Sequence, residues 1–286
     1  MFKVCILGAS SYIGKILLRE MPKYFDESDI YYLSRIHVGD FSDIDNLRNA
    51  LRSISSKEIT VVNCAAAGGK TSLGDFVKED LWNNIKIHEN IVELAPYYGD
   101  YINIATGAEF DISKPIVDVA DHGYKDILPR DSYGMSKNLI AKAISYENHG
   151  VNLRLFSCFD PSEPDFRLIK SCLKLIDAGQ DLVIKNDRYT SGISGIDFAN
   201  VVQQVIKKRT YNPTDLNCAY SHKMRMSEIL YYVMRAYKSK VEFSIEPMDN
   251  GKHEYSCNSY LLESDYHIEY GFEKSIEHYI NTYKKS

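Results

Sequence analysis

The stretch Tyr133-Gly134-Met135-Ser136-Lys137 holds the residues of this sequence best suited to moving a proton. Side chains four apart on a helix share a face, so the Tyr133 hydroxyl and the Lys137 ammonium can meet one ligand. A phenol titrates near ~10 and is a poor acid-base group at neutral pH, whereas an adjacent ammonium stabilises the phenolate and lowers that value. Upstream, the apolar run Tyr101-Ile102-Asn103-Ile104 leads into Ala105-Thr106-Gly107. There the Thr106 hydroxyl would hold a substrate oxygen while Tyr133 exchanges its proton. With 22 tyrosines in the chain, a Tyr-x-x-x-Lys spacing alone arises by chance, so the assignment depends on what surrounds it.

What surrounds it is a nucleotide-binding pattern. Directly after the strand-like run Lys3–Leu7 comes Gly8-Ala9-Ser10-Ser11-Tyr12-Ile13-Gly14, leading into an apolar helix. Glycine at the strand end permits the sharp turn, small residues let backbone approach a pyrophosphate, and the helix offers free N–H groups and the positive end of its dipole. About twenty residues further on, the second strand ends Tyr31-Tyr32-Leu33-Ser34-Arg35. An acidic residue there would bind a ribose diol and repel a 2′-phosphate, whereas Ser34 and Arg35 offer a hydroxyl and a fork of donors. The expected cofactor is therefore NADPH (NADP+) rather than NAD(H).

The elements that would position these groups alternate. Apolar runs at Lys3–Leu7, Ile30–Leu33, Thr60–Cys64, Tyr101–Ile104 and Asn152–Phe156 are separated by helical periodicity at Tyr12–Met21, Ile44–Leu51, Leu81–Leu94 and Gly134–Tyr146. The expected fold class is α/β, a doubly wound parallel sheet of Rossmann type with a smaller C-terminal substrate-binding lobe. Ligands of such sheets bind beyond the carboxyl ends of the strands. We divide the chain into a dinucleotide-binding domain over 1–160, with a returning segment near 190–220, and a substrate lobe over 161–286. Helix-like stretches at Asp165–Ala178, Asp197–Lys208 and Ser227–Lys238 belong to the second half.

Composition narrows the class. The net charge of −5 offers no bulk positive field for a nucleic-acid backbone. No apolar run approaches the roughly 18–20 residues that span a bilayer, and the N-terminal stretch turns polar too soon for a signal peptide, so a cytoplasmic protein without membrane association is expected. The six cysteines include no CxxC pair and fall partly inside apolar runs, which reads as reduced, buried thiols. His88 and His122 lack ligand-spaced partners, so no metal is expected.

Taken together, these motifs resemble those of an extended short-chain dehydrogenase/reductase of the NAD-dependent epimerase/dehydratase family, over nearly the whole length. The resemblance implies that Asp40-Phe41 lie near the adenine, and that Ala65, Ala66 and Ala67, after Asn63-Cys64, line the cofactor beside the glycine loop, Tyr133 and Lys137. Asn84, in Asn83–Ile91, matches the asparagine that supports the proton relay. Leu153–Pro161 resembles the strand into the substrate lobe, with Ser157 at the substrate, and Gly195-Ile196-Asp197-Phe198-Ala199 the return segment.

There are departures. Ser11 stands where a middle glycine is usual, implying a slightly wider loop; Ser157 and Asp160 replace an Asn and a Gly. Arg188 sits about two residues early for the arginine that grips a sugar-nucleotide diphosphate, and Arg167 and Lys170 open a helix that faces the nucleotide in relatives. Dehydratases carry Asp-Glu after the catalytic threonine, where this chain has Gly107-Ala108, and no cysteine lies between Thr106 and Tyr133 as in the epimerase-reductases of the fucose route. The resemblance therefore implies an NADPH-dependent reductase of a nucleotide-linked 4-keto-6-deoxy sugar, of the kind used in surface-polysaccharide synthesis, with Thr106, Gly107, Ala108, Ser157, Arg167 and Arg188 toward the substrate. The alternative is a 4-epimerase with tightly bound NAD. A homodimer through the Leu81–Leu94 and Gly134–Tyr146 helices is implied as well.

Overall fold

A computed structural model describes residues 2–68, 75–123, 126–147, 150–209, 214–246 and 254–285. In chain order the first half runs β1 (Lys3–Leu7), α1 (Tyr12–Glu20), β2 (Ile30–Leu33), α2 (Arg35–Val38), α3 (Ile44–Ser53), β3 (Ile59–Asn63), α4 (Lys78–Glu93), β4 (Asp100–Thr106), β5 (Ile116–Val119), α5 (Ser132–Glu147) and β6 (Val151–Leu155). The second half runs β7 (Cys158–Phe159), α6 (Leu168–Asp177), β8 (Leu182–Ile184), β9 (Tyr189–Thr190), β10 (Ile193–Ser194), α7 (Gly195–Lys208), β11 (Asp215–Cys218), β12 (Met224–Arg225), α8 (Met226–Tyr237), β13 (Phe243–Ile245), β14 (Glu254–Cys257), α9 (Tyr260–Asp265) and α10 (Gly271–Tyr283).

Strand periodicity explains the layers. Along β1, Val4 and Ile6 face a core shared with Ile16 and Leu17 of α1 and Phe198 and Val202 of α7. Cys5 and Leu7 face the opposite core, with Leu47 of α3, Ile87 and Ile91 of α4, and Ile140 and Ile144 of α5. Successive side chains of a strand point to opposite faces, so a strand apolar at every position requires helices on both. The six-stranded parallel sheet has the order β2-β1-β3-β4-β6-β11. The chain leaves β1 for β2 on one side and resumes at β3 on the other, so the loops after β1 and β3 open onto the crevice where doubly wound sheets bind ligands.

β11, Asp-Leu-Asn-Cys, lies in the returning segment near 190–220 although its own residues were not read as a strand; it carries two polar residues, yet all four are buried. Asp215 and Asn217 accept hydrogen bonds from the buried Arg154 and Asn152 of β6. Polar strand residues are tolerated inside when their partners are inside too.

The C-terminal lobe has its own core, where Leu173 of α6, Leu230 and Val233 of α8, and Tyr279 and Ile280 of α10 meet. A second, mixed sheet of order β12-β9-β14-β5 joins this lobe to the segment between β4 and α5. It carries Tyr255 of β14 alongside Ile116 of β5. All six cysteines are buried and free. Among the described residues no helix is long and apolar enough to cross a membrane.

Candidate active site

The glycine loop is pinned between two strand ends. Gly8 and Ala9 donate to the Leu33 carbonyl at 2.9 and 3.1 Å. Gly8 has φ +81°, and a Cβ there would fall 2.6 Å from the Ala65 nitrogen, so only glycine fits. Ser11 has φ −69°, which requires no glycine, and its Oγ accepts from Gly14 N at 3.1 Å to cap α1. Gly14 in turn packs so closely that a Cβ would lie 2.2 Å from the Gly8 carbonyl oxygen. Ser10 is exposed at the tip, and Ile13 packs on the α1–α7 core. The Tyr12 hydroxyl donates to the Cys158 carbonyl at 3.1 Å, tying the loop to β7. A tight, small-residue loop in front of a capped helix fits the pyrophosphate of a dinucleotide.

Around it lie the remaining cofactor candidates. Ala65 and Ala67 are half-buried and Ala66 exposed at the end of β3. Asp40 is exposed, and its carboxyl is held below the usual range chiefly by the Ser42 backbone N–H. The Phe41 side chain, by contrast, is buried in the core beside Leu47 and Leu51, and its carbonyl accepts from the buried Asn90 Nδ2 at 2.9 Å. Ser34 is buried with its Oγ 3.0 Å from His37 Nδ1, while Arg35 is exposed. Asn84 braces the fold: its Oδ1 accepts from Ala67 N at 2.7 Å, and its Nδ2 donates to Ala67 O and Ser136 Oγ at 3.1 and 3.0 Å. Both amide hydrogens are thereby committed, and α5 is fastened to the loop after β3.

Thr106 and Tyr133 meet, with Lys137 one helical turn on, but with a different polarity from the one expected. The Tyr133 hydroxyl is hydrogen-bonded to Thr106. Burial pushes it up to about 12, the negative charge of Glu109 adds to that, and the Thr106 bond pulls the other way. Lys137, one turn on, is 3% exposed and donates to the Ile104 carbonyl at 2.9 Å; burial lowers its own pKa. The protein groups around the phenol thus hold it protonated, and the lowering comes from a hydroxyl rather than from the ammonium.

Two residues absent from the sequence reading complete the group. Glu109 is fully buried and forms a capping box with Thr106, accepting from Thr106 N at 3.2 Å while Thr106 Oγ1 accepts from Ala108 N at 3.3 Å. Its signal was present, since Thr106-Gly107-Ala108-Glu109 has the capping-box spacing. Tyr255 has no local signal. Its hydroxyl bonds Thr106 from the side of the C-terminal lobe, and burial raises its pKa. A Cβ on Gly107 would lie 2.6 Å from both the Tyr255 hydroxyl and the Phe156 ring, so the place of a dehydratase's aspartate is filled.

A cavity of about 690 Å³ opens from Thr106 and Tyr133 into the lobe. Ala108, Ser157, Arg167 and Arg188 line it along with Phe159 and Phe166. The Arg188 guanidinium lies 5.5 Å over the Tyr255 ring, with its buried Nε lacking a protein partner. Out of register in sequence, it reaches the cavity in space. Arg167 sits 5.1 Å over the Tyr12 ring and 3.5 Å from Glu163. Lys170 is spent on the Pro161 carbonyl at 2.9 Å. Asp160, in the usual glycine's place, takes both Arg19 terminal nitrogens at 3.0 and 2.6 Å and ties α1 to the end of β7.

Residues 4–202 match the profile of the NAD-dependent epimerase/dehydratase family. The chain belongs to that family. As a member it is an NAD(P)-dependent oxidoreductase of the extended short-chain dehydrogenase/reductase type. Its fold is shared with a GDP-mannoheptose C4 reductase from Campylobacter jejuni with NADP bound (TM-score 0.83, 11% identity, 100% of this chain and 98% of that one). A GDP-L-fucose synthetase from Naegleria fowleri bound to NADP also matches (TM-score 0.78, 14% identity, 99% and 93%). So does a UDP-Glc/GlcNAc 4-epimerase from Campylobacter jejuni (TM-score 0.76, 16% identity, 100% and 100%). No curated protein matches the chain by sequence.

Proposed function

We propose that this protein is an NADPH-dependent reductase of a keto group on a nucleotide-linked 4-keto-6-deoxy sugar. The observation that carries the reading is a protonated Tyr133 hydroxyl, bonded to Thr106, at the head of a cavity whose wall bears two arginines. A dinucleotide held by its pyrophosphate at the glycine loop would supply the hydride from its nicotinamide ring. The chain's own part is to bind the diphosphate at Arg167 and Arg188, to orient the carbonyl oxygen with the Thr106 hydroxyl, and to donate the proton from Tyr133. Lys137, anchored on Ile104 O, holds a positive charge beneath the site as the phenolate forms.

Three features support reduction over its rivals. Glycine and alanine at 107 and 108 cannot transfer the protons dehydration needs, and Tyr255 and Phe156 leave no room for an acid at 107. The exposed Arg35 at the end of β2, with no acidic residue at 34 or 35, suits a 2′-phosphate. Two of the structural neighbours hold NADP, one of them a C4 reductase. We also assign a homodimer contact to the outer faces of α4 and α5, where Trp82 and Leu139 are 56% and 38% exposed beside a cavity lined by Ile85, Val92 and Ala143. The deciding experiment is NADPH oxidation against a panel of nucleotide-linked 4-keto sugars, with NADH alongside. Purified protein that retains NAD and shows no net oxidation would instead identify a 4-epimerase.

A further inference from the structure

The expected donor pair for a 2′-phosphate was Ser34 and Arg35, but the structure turns Ser34 away from it. Ser34 is 5% exposed, and α2 starts directly after it, so residues 34 and 37 share one face of a single helical turn. Its Oγ lies 3.0 Å from His37 Nδ1. With that hydroxyl donating, the neutral imidazole carries its hydrogen on Nε2, the nitrogen left for an outside group. His37 and Arg35 are both exposed, and the loop that binds pyrophosphate is bonded to the same strand end through Leu33 O.

We propose that His37, oriented by Ser34, recognises the 2′-phosphate of NADPH, and that Ser34 acts on the imidazole rather than on the phosphate. This rests on the NADPH reading above. The Tyr32 ring lies 6.4 Å from the imidazole, edge-on. The Asp40 carboxylate is held by the Ser42 N–H and hydroxyl, both at 2.9 Å, and feels the charge of Arg35.

The test is binding, read by quenching of protein fluorescence and by nucleotide emission, with no sugar substrate present. NADPH and NADH are titrated into wild type, His37→Ala, His37→Asn and Ser34→Ala. Loss of one charge-assisted contact predicts NADPH binding about 10-fold weaker in both His37 variants with NADH within about twofold, which also shows that the fold is intact. Ser34→Ala falls between wild type and the His37 variants. A wild-type preference for NADPH that survives His37→Ala, or an equal loss for both nucleotides, overturns the assignment of His37 alone. Wild type that binds NADH more tightly overturns the cofactor reading and this inference with it.

Discussion

Arg154 and Glu109 meet wholly inside the protein, Nε to Oε2 at 2.8 Å, with neither side chain exposed. The other Glu109 oxygen takes the Thr106 N–H, and the Glu109 carbonyl accepts from Asn138 of α5 at 3.0 Å. One residue therefore links the strand end bearing Thr106 to the helix bearing Tyr133 and Lys137. Arg154 reaches further, donating to Asp121 O and Asn217 Oδ1 at 2.8 and 2.9 Å. Removing one partner of such a buried pair leaves an uncompensated charge, which costs about 3–5 kcal/mol. Arg154→Leu should lower the unfolding free energy in urea by that amount. A loss below about 1 kcal/mol would show that the pair does not brace the site.

Tyr133→Phe removes the proton donor and little volume. Turnover in the reductive direction should fall at least about 100-fold, while the NADPH dissociation constant stays within about twofold. Near-normal turnover would remove Tyr133 from the mechanism.

Arg188 and Tyr255 should separate kinetically. Arg188→Ala removes uniform binding of a diphosphate and should raise KM about 10- to 100-fold with little change in kcat. Tyr255→Phe deletes a hydroxyl bonded to Thr106 and should lower kcat about 10-fold with KM nearly constant. The opposite split in steady-state kinetics would exchange their roles.

His88 gives the stability a pH signature. Burial, with the charge of Lys137, holds its imidazole at about 4, against roughly 6.5 in an unfolded chain. The unfolded state therefore takes up the proton first. The contribution of the neutral ring is complete above about pH 6.5 and is lost as the pH falls toward about 4. Glu163 runs the other way: burial lifts its carboxyl to about 7, so its contribution is present at low pH and is lost as the pH rises through that value. Denaturant unfolding of His88→Gln and wild type at about pH 7 and about pH 5 should show the variant's deficit shrinking by about 2 kcal/mol on acidification. A deficit that does not change with pH would place His88 outside this balance.

Leu139→Glu introduces a charge on the apolar face of α5. Sedimentation velocity should show a monomer where wild type is a dimer; an unchanged dimer would move the contact elsewhere.

Much of the fold follows from short-range pattern. The runs read as strands at 3–7, 30–33, 60–64, 101–104 and 152–156 coincide with sheet strands to within two residues at either end. Alternation with helices implies parallel pairing, since parallel strands need crossovers. β11 escaped because its stability in the sheet depends on side chains of β6, which no window of local sequence contains. Within the site, Thr106, Tyr133 and Lys137 were visible from spacing and chain order. His37, Glu109 and Tyr255 were not read, although Glu109 stood at capping-box distance from Thr106.

By itself, the amino-acid order determined what depends on neighbours a few residues apart: the face shared by Tyr133 and Lys137, the turn that needs Gly8, and the periodicities that alternate strand with helix. Only the tertiary structure decided which groups touch across the chain. It brought the Tyr255 hydroxyl onto Thr106, set Arg188 over Tyr255, and buried Arg154 against Glu109. It also decided the protonation of Tyr133, because the charged form of a buried phenol is set by the solvent it loses and the charges it meets, and both are properties of the packed interior.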